Sequence, residues 1–317
     1  MKILSLGDIK EALPAIDLLS AIEQAFIAYS NGKAVVPPVG ELLFDKPPGD
    51  VHIKYGYLTD DEYYVVKIAS GFYDNPKSGL PSNNGLMLLF NKLTGQGEAV
   101  LLDEGLLTDI RTAVAGAISA RYLANPEISC IGIAGTGVQA RLQLEYLKPV
   151  CSCREVLLWG RDAGNCRDYA EKARKLGFNI RITDNPNDLL QECDLIVTTT
   201  PAREPLLTGT ARPGTHITAV GADTHNKQEL GTSLLAEADV VVADSIAQCL
   251  QRGEIHKAIN DEAIKSDQLL ELGNIITGSQ PGRTSSDQVT IADLTGVATQ
   301  DICIAKAVFE SACNQGK

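Results

Sequence analysis

Apolar residues Ile9, Leu13, Ile16, Leu19, Ile22, Ala25, Phe26 and Tyr29 recur at helical spacing through residues 8–31, and Pro14 splits that run near its first turn. Two helices are expected to open the chain. From 35 to 103 the pattern changes to short runs at 41–44, 51–57, 63–68, 85–91 and 96–102, separated by Pro-Pro, Gly-Asp, Asn-Pro and Thr-Gly turns. These predict an antiparallel sheet. Residues 108–123 read as a helix whose alanines (Ala113, Ala115, Ala117, Ala120) allow close packing.

Beyond Asn125-Pro126 short apolar runs alternate with helical ones: 128–133, 138–147, 155–159, 166–176, 180–182, 185–193, 195–199, 216–220, 233–237 and 240–243. Strands alternating with crossover helices imply a parallel sheet, which places a doubly wound, Rossmann-type domain at 119–293. The stretch 291–310 reads as helical and is expected to return to the first domain, so that residues 1–118 and 294–317 form one α+β unit built from both termini. The expected fold class is α/β.

With 317 residues, 28 basic against 40 acidic side chains and a net charge of −12, the chain suits two globular domains and would repel a nucleic-acid backbone. Neither a run of 18 apolar residues nor a secretory leader is evident, so the protein is expected to be unsecreted and cytoplasmic, without a membrane partner. Cysteines at 130, 151, 153, 166, 193, 249, 303 and 313 match no zinc spacing, and histidines at 52, 216, 225 and 256 are scattered, so reduced thiols and no metal are expected. The close pair Cys151-Ser152-Cys153 reads as a turn.

The first chemical signal is Gly135-Thr136-Gly137-Val138-Gln139-Ala140, a Gly-x-Gly-x-x-Ala turn that follows a buried-strand run and opens a helix. Gly135 permits the tight turn, Gly137 admits a pyrophosphate, and Ala140 lets the helix pack on the strand. The helix N-terminus offers N–H groups to phosphate oxygens. The next strand ends in Trp159-Gly160-Arg161-Asp162, where an acidic residue would hold the ribose of NAD. Gly160 has no side chain, and the Arg161 guanidinium can fork onto a 2′-phosphate, favouring NADP(H) with NAD(H) as the alternative. The competing reading makes Arg161 a solvated turn charge and gives the ribose to Asp162.

These features, together with Val65-Val66-Lys67-Ile68, Leu107-Thr108-Asp109-Ile110-Arg111-Thr112-Ala113, Ala219-Val220-Gly221-Ala222-Asp223 with Lys227 and Glu229-Leu230, and Gly282-Arg283-Thr284, make the sequence resemble the ornithine cyclodeaminase/μ-crystallin family over nearly its whole length. The resemblance implies a Rossmann domain plus a substrate-binding domain that also forms a homodimer interface. It implies that Lys67 and Arg111 grip a substrate carboxylate. It also implies cofactor contacts at Thr112, Thr136, Gly137, Val138, Gln139, Thr199 and Val220, and makes Asp223 the acid–base residue, with Lys67 also in the catalytic set. Read as residues alone, Lys67 fits a structural ion pair, Arg111 a helix-entry contact and Asp223 a turn aspartate equally well.

One departure changes the expected grip. Where the family carries an arginine after a Pro-rich turn, this chain reads Val36-Pro37-Pro38-Val39-Gly40-Glu41, with glycine at the matching place. Lys54 is the candidate replacement cation, and Glu41 or His52 can meet an amine or imine; all three also fit an exposed sheet face. The expected activity is NAD(P)H-dependent reduction of a cyclic imino acid such as Δ1-pyrroline-2-carboxylate. Its alternatives are ornithine cyclodeamination, another amino-acid or imino-acid dehydrogenase, and a μ-crystallin-like binding protein.

Overall fold

The computed structural model describes every residue except Tyr73, Gly316 and Lys317, and Gln315 without its side chain. The chain divides into two compact units, residues 1–111 with 297–317 and residues 112–296. The expected boundary at 118/119 falls inside the helix Leu106–Leu123, which runs from one unit into the other. Nothing local in an alanine-rich helix marks which turn joins which core.

In the first unit the helices Leu6–Ala12 and Leu18–Ser30 are separated by a 3-10 turn at Leu13–Ala15, where Pro14 occupies a first-turn position. Ser5 and Asp17 cap them, their side chains accepting from Asp8 N–H and Ser20 N–H. The sheet comprises β1 (Lys2–Leu4), β2 (Ala34–Val35), β3 (Gly40–Asp45), β4 (Pro48–Leu58), β5 (Tyr63–Phe72), β6 (Asn83–Asn91) and β7 (Gly97–Leu101). Its order is β1-β7-β6-β5-β4-β2, with β3 also paired to β4. The sheet is mixed rather than antiparallel, because β1 pairs parallel to β7. A three-residue strand has no periodicity to read, and its pairing partner lies almost a hundred residues away in the chain.

Alternation along the strands splits this sheet into two faces. One carries Leu4, Val65, Met87, Leu89, Ala99 and Leu101, all buried, and packs against the terminal helix Ala298–Gln315, which in turn packs on the helices carrying Ile9, Ile22 and Phe26. Glu41, His52, Lys54 and Lys67 lie on this same face by register. The other face carries Ile3, Leu42, Phe44, Ile53, Tyr55, Tyr64, Val66, Ile68, Leu86 and Leu88, half-buried or exposed.

The second unit holds eight parallel strands: β8 (Ile131–Ala134), β9 (Glu155–Trp159), β10 (Asn179–Thr183), β11 (Leu195–Thr198), β12 (His216–Ala219), β13 (Val240–Ala243), β14 (Leu269–Glu271) and β15 (Thr290–Asp293). Their order is β10-β9-β8-β11-β12-β15-β13-β14, so the winding reverses between β8 and β11. Every residue of β8, β11, β12, β13 and β15 is buried. The expected helix at 291–310 is corrected: 290–293 enters the sheet between β12 and β13, and the terminal helix runs Ala298–Gln315. A four-residue apolar strand joined to an apolar helix has no periodicity of its own.

His216 is a core residue. Its Nδ1 lies 2.8 Å from Thr290 Oγ1, its Nε2 3.0 Å from Thr218 Oγ1 and 3.1 Å from Ser119 Oγ, and burial pushes its pKa down to about 3. It therefore stays neutral at physiological pH. The eight cysteines are free thiols, with Cys151 and Cys153 buried in the loop before β9. Among the described residues no single helix is long and apolar enough to cross a membrane, and no three His, Cys, Asp or Glu side chains are grouped to hold a metal.

Candidate active site

In the second unit the glycine turn follows β8 at the point where the strand order reverses. Gly135 has φ +125°, and a Cβ there would lie 2.5 Å from Thr199 Oγ1, so only glycine fits. Gly137 caps the helix Val138–Leu147 with extended backbone and has open space where a side chain would be. Gly137 and Val138 are exposed, Thr136 and Gln139 half-buried, and Ala140 fully buried, its carbonyl accepting the Tyr169 hydroxyl at 2.9 Å. The cradle thus has free room above it and a packed helix below, which fits a pyrophosphate.

At the end of β9, a Cβ on Gly160 would lie 2.7 Å from both Cys166 Sγ and Thr136 Cγ2. The usual ribose-binding carboxylate has no room at that position. Arg161 is exposed, and Asp162 caps the helix Ala163–Lys175, its Oδ1 accepting Asn165 N–H at 2.7 Å.

The loops leaving β11 and β12 carry the remaining cofactor candidates of this unit. Thr199 donates its N–H and its hydroxyl to Ala134 O at 2.9 and 3.2 Å, and Val220 donates its N–H to Thr198 O at 3.0 Å. Thr112 O accepts Gln143 Nε2 at 3.1 Å. Three residues past Val220, Asp223 keeps 38% of its side chain exposed, and Lys227 Nζ donates to its Oδ1 at 2.6 Å. Arg252 Nη1 reaches its carbonyl at 3.4 Å. Asp223 is therefore an accessible carboxylate with an ammonium beside it, at the carboxyl edge of a parallel sheet.

The first unit assembles a buried charge cluster. Lys67 Nζ lies 2.9 Å from Asp301 Oδ2, and Arg111 Nε donates to Asp301 Oδ1 at 3.1 Å while its Nη1 donates to Gln300 Oε1 at 3.2 Å. Lys67, Asp301, Arg111 and Lys54 are 2%, 1%, 6% and 6% exposed. Lys54 stands directly opposite Lys67 in the β4–β5 register, and its charge also acts on Asp301. Burial lowers the Lys67 pKa to about 8, with Asp301 opposing the drop. Burial also disfavours charge on Asp301, yet Lys67 and Arg111 outweigh it and hold the carboxyl below its ordinary pKa. Asp103 caps the helix that carries Arg111, accepting Leu107 N–H at 2.9 Å. Further along the same sheet face, Glu41 Oε1 and His52 Nε2 lie 3.0 Å apart.

With this geometry in view, the ornithine cyclodeaminase/mu-crystallin family profile matches residues 1–316. The chain belongs to that family. A solved Δ1-pyrroline-2-carboxylate reductase of Thermococcus litoralis, in complex with NADH and L-proline, superposes with a TM-score of 0.92 at 30% identity, covering 100% of this chain and 98% of that one. An archaeal alanine dehydrogenase dimer with bound NAD gives 0.90 at 33% identity, covering 100% and 97%. The iminosuccinate reductase of Paracoccus denitrificans is 34% identical over 299 residues, 93% of this chain and 92% of its own.

Lys54, Lys67 and Arg111 are brought together, whereas Asp223 and the nucleotide turn belong to the second unit with partners of their own. Glu41, His52 and Lys54 are not on an exposed sheet face: Lys54 is buried, and the Glu41–His52 pair is 21% and 12% exposed. Period-2 alternation assigns them to the same side as the core residues of β4 and β5. Asp301 and Gln300 were not anticipated. The available signal was an aspartate among Ala298, Ile302, Ala305 and Val308 on the apolar stripe of the last helix, where a carboxylate needs a cation.

Asp301→Asn would leave Lys67 and Arg111 without their shared carboxylate in a dry environment. The expected loss is about 3–5 kcal/mol of folding stability, read by urea denaturation at pH 7. A loss of the size of an exposed ion pair, below about 1 kcal/mol, would mean that other groups compensate these cations.

Proposed function

We propose that this protein reduces an imino acid to an amino acid with a nicotinamide cofactor, the substrate class being cyclic imino acids such as Δ1-pyrroline-2-carboxylate, which yields proline. The carrying observation is the cluster in which three buried cations, Lys54, Lys67 and Arg111, gather around Asp301. The Arg111 fork and the Lys67 ammonium carry more donors than Asp301 and Gln300 take up, and a substrate carboxylate can accept them. Asp301 turns the Arg111 fork by holding Nε, and Lys67, with a pKa near 8, is mostly protonated at neutral pH. Lys54 takes the part of the arginine that Gly40 replaces.

Thr112, Gly135, Thr136, Gly137, Val138, Gln139, Thr199 and Val220 would hold the cofactor. When bound, it supplies a hydride to the imine carbon. The nitrogen then needs a proton, and the Asp223 carboxyl would pass it on, the proton on Asp223 being supplied from the Lys227 ammonium that donates to it or from solvent. A second reading, cyclodeamination of a diamino acid, is favoured by Glu41: its carboxylate lies on the same face as Lys54 and Lys67 and can hold a side-chain ammonium. A panel of cyclic imines and diamino acids separates the two, since reduction consumes NAD(P)H and cyclodeamination releases ammonia. Asp223→Asn should lower turnover about 10²–10⁴-fold with NADPH binding retained. Near-normal turnover would remove Asp223 from the mechanism.

For the cofactor, Arg161 supports NADPH over NADH, because Asp162 is committed to its helix cap and Gly160 offers no ribose ligand. The solved relatives described above carry NADH and NAD, and in this chain the exposed Arg161 beside the helix-capping Asp162 and the bare Gly160 favours NADPH. Arg161→Ala should weaken NADPH use by roughly 10–100-fold, the worth of a charge-assisted contact, and leave NADH use nearly unchanged. Equal catalytic efficiency with both cofactors in the unsubstituted protein would overturn it.

A second copy of the chain is proposed to cover the outward sheet face, where Ile3, Leu42, Phe44 and Tyr55 are 66%, 54%, 42% and 39% exposed. Light scattering should give twice the 33.9 kDa chain mass, and Ile53→Asp with Ile68→Asp should halve it. A monomeric unsubstituted protein would refute the pairing.

A further inference from the structure

The loops carrying Thr199 and Val220 leave neighbouring strands, β11 and β12, and one buried side chain joins them. Glu229 is fully buried. Its Oε1 accepts Thr200 N–H at 2.5 Å and the Thr200 hydroxyl at 2.8 Å. Its Oε2 accepts the Thr198 hydroxyl at 2.7 Å and Gly221 N–H at 2.8 Å. Four donors from two loops thus converge on one carboxylate. Glu229 is itself held: its N–H and that of Leu230 donate to the Glu254 carboxylate at 2.7 and 3.1 Å. Glu254 sits on the helix Gly253–Asn260, whose Ile255 N–H donates to Asp293 Oδ2 at 2.8 Å. Three carboxylates in series therefore run from the end of β15 to the edge of β11 and β12.

We propose that Glu229 is a positioning residue for the cofactor, fixing the spacing of the 199–200 and 220–221 backbones against which the nicotinamide half is seated. This rests on the cofactor reading given above. Every residue that Glu229 grips is within one position of Thr199 or Val220, so its acceptor pattern sets the position of each loop against the other. A carboxylate suits the task because it is acceptor-only on both oxygens. Burial raises the Glu229 pKa to about 6, and the bonds from Thr200, Thr198 and Gly221 oppose that rise, leaving it mostly ionised at neutral pH.

Glu229→Gln is isosteric, yet it turns an amide NH2 toward one of the two donor pairs, so one loop is released while the other stays held. Binding of NADPH, followed by the fluorescence of the reduced nicotinamide at a temperature well below unfolding, should weaken roughly 10–100-fold, as expected for lost bonds to a charged acceptor. Leu234→Ala, a buried residue of the same unit on the helix Thr232–Glu237, is the comparison for general loosening, and it should lower the melting temperature with NADPH affinity unchanged. Glu229→Asp, which keeps the charge and shortens the reach, should bind NADPH better than Glu229→Gln. Unchanged affinity in Glu229→Gln, or equal weakening in Leu234→Ala, would overturn the positioning role. Absence of NADPH and NADH binding by the unsubstituted protein would overturn the cofactor reading and this inference with it, a failure readily told from the first two.

Discussion

Lys67, Arg111 and Asp301 share the dry interior of the first unit, where the charges of Lys67 and Asp301 each depend on the other. Lys67 loses much of its basicity to burial, and Asp301 is the group that limits the loss; in return Lys67 and Arg111 hold Asp301 ionised where burial alone would protonate it. The cost of this arrangement shapes its surroundings. Asp103 must cap the helix under Arg111, Gln300 must orient the guanidinium, and the terminal helix must return to the N-terminal sheet to bring Asp301. A purely apolar core would be simpler to build. The charges are retained together with a third buried cation, Lys54, whose charge also acts on Asp301.

The nucleotide turn was readable because everything it needs is local. Strand, glycines and helix follow one another within residues 131–147, so Gly135 is placed by sequence order, while the contacts that exclude a side chain at Gly160 appear only in the structure. The parallel strands were readable for a related reason, since strands buried on both faces become continuous apolar runs. What failed was pairing and continuity. The segment 290–293 looked like the start of the last helix because strand and helix are both apolar there, and only its insertion between β12 and β13 distinguishes them. β1 escaped for want of length, its pairing with β7 being tertiary.

The charge cluster was half readable. Lys67 and Arg111 are paired in the sequence only through the family resemblance, and Lys54 is on a strand whose alternation can be followed. Asp301 lies 190 residues from Arg111. No spacing rule links residues so far apart, so the partner that decides whether those cations are structural or functional could not be found by pattern. The same holds for Glu41 and His52: alternation places them on the core side, but only the β3–β4 register shows that they face each other.

The two units solve one problem, keeping ions in a dry place, with opposite signs. The first gathers cations around Asp301. The second gathers carboxylates, Glu229, Glu254 and Asp293, and burial pushes the pKa of each upward. Instead of cations it gives them backbone N–H groups: Gly221 and Thr200 for Glu229, Glu229 and Leu230 for Glu254, and Ile255 for Asp293. Such donors are fixed in the chain, so a carboxylate that collects them cannot move without moving the loops. The acids of the second unit therefore tie together the backbone segments that donate to them, while the cations of the first unit are tied to one another through Asp301.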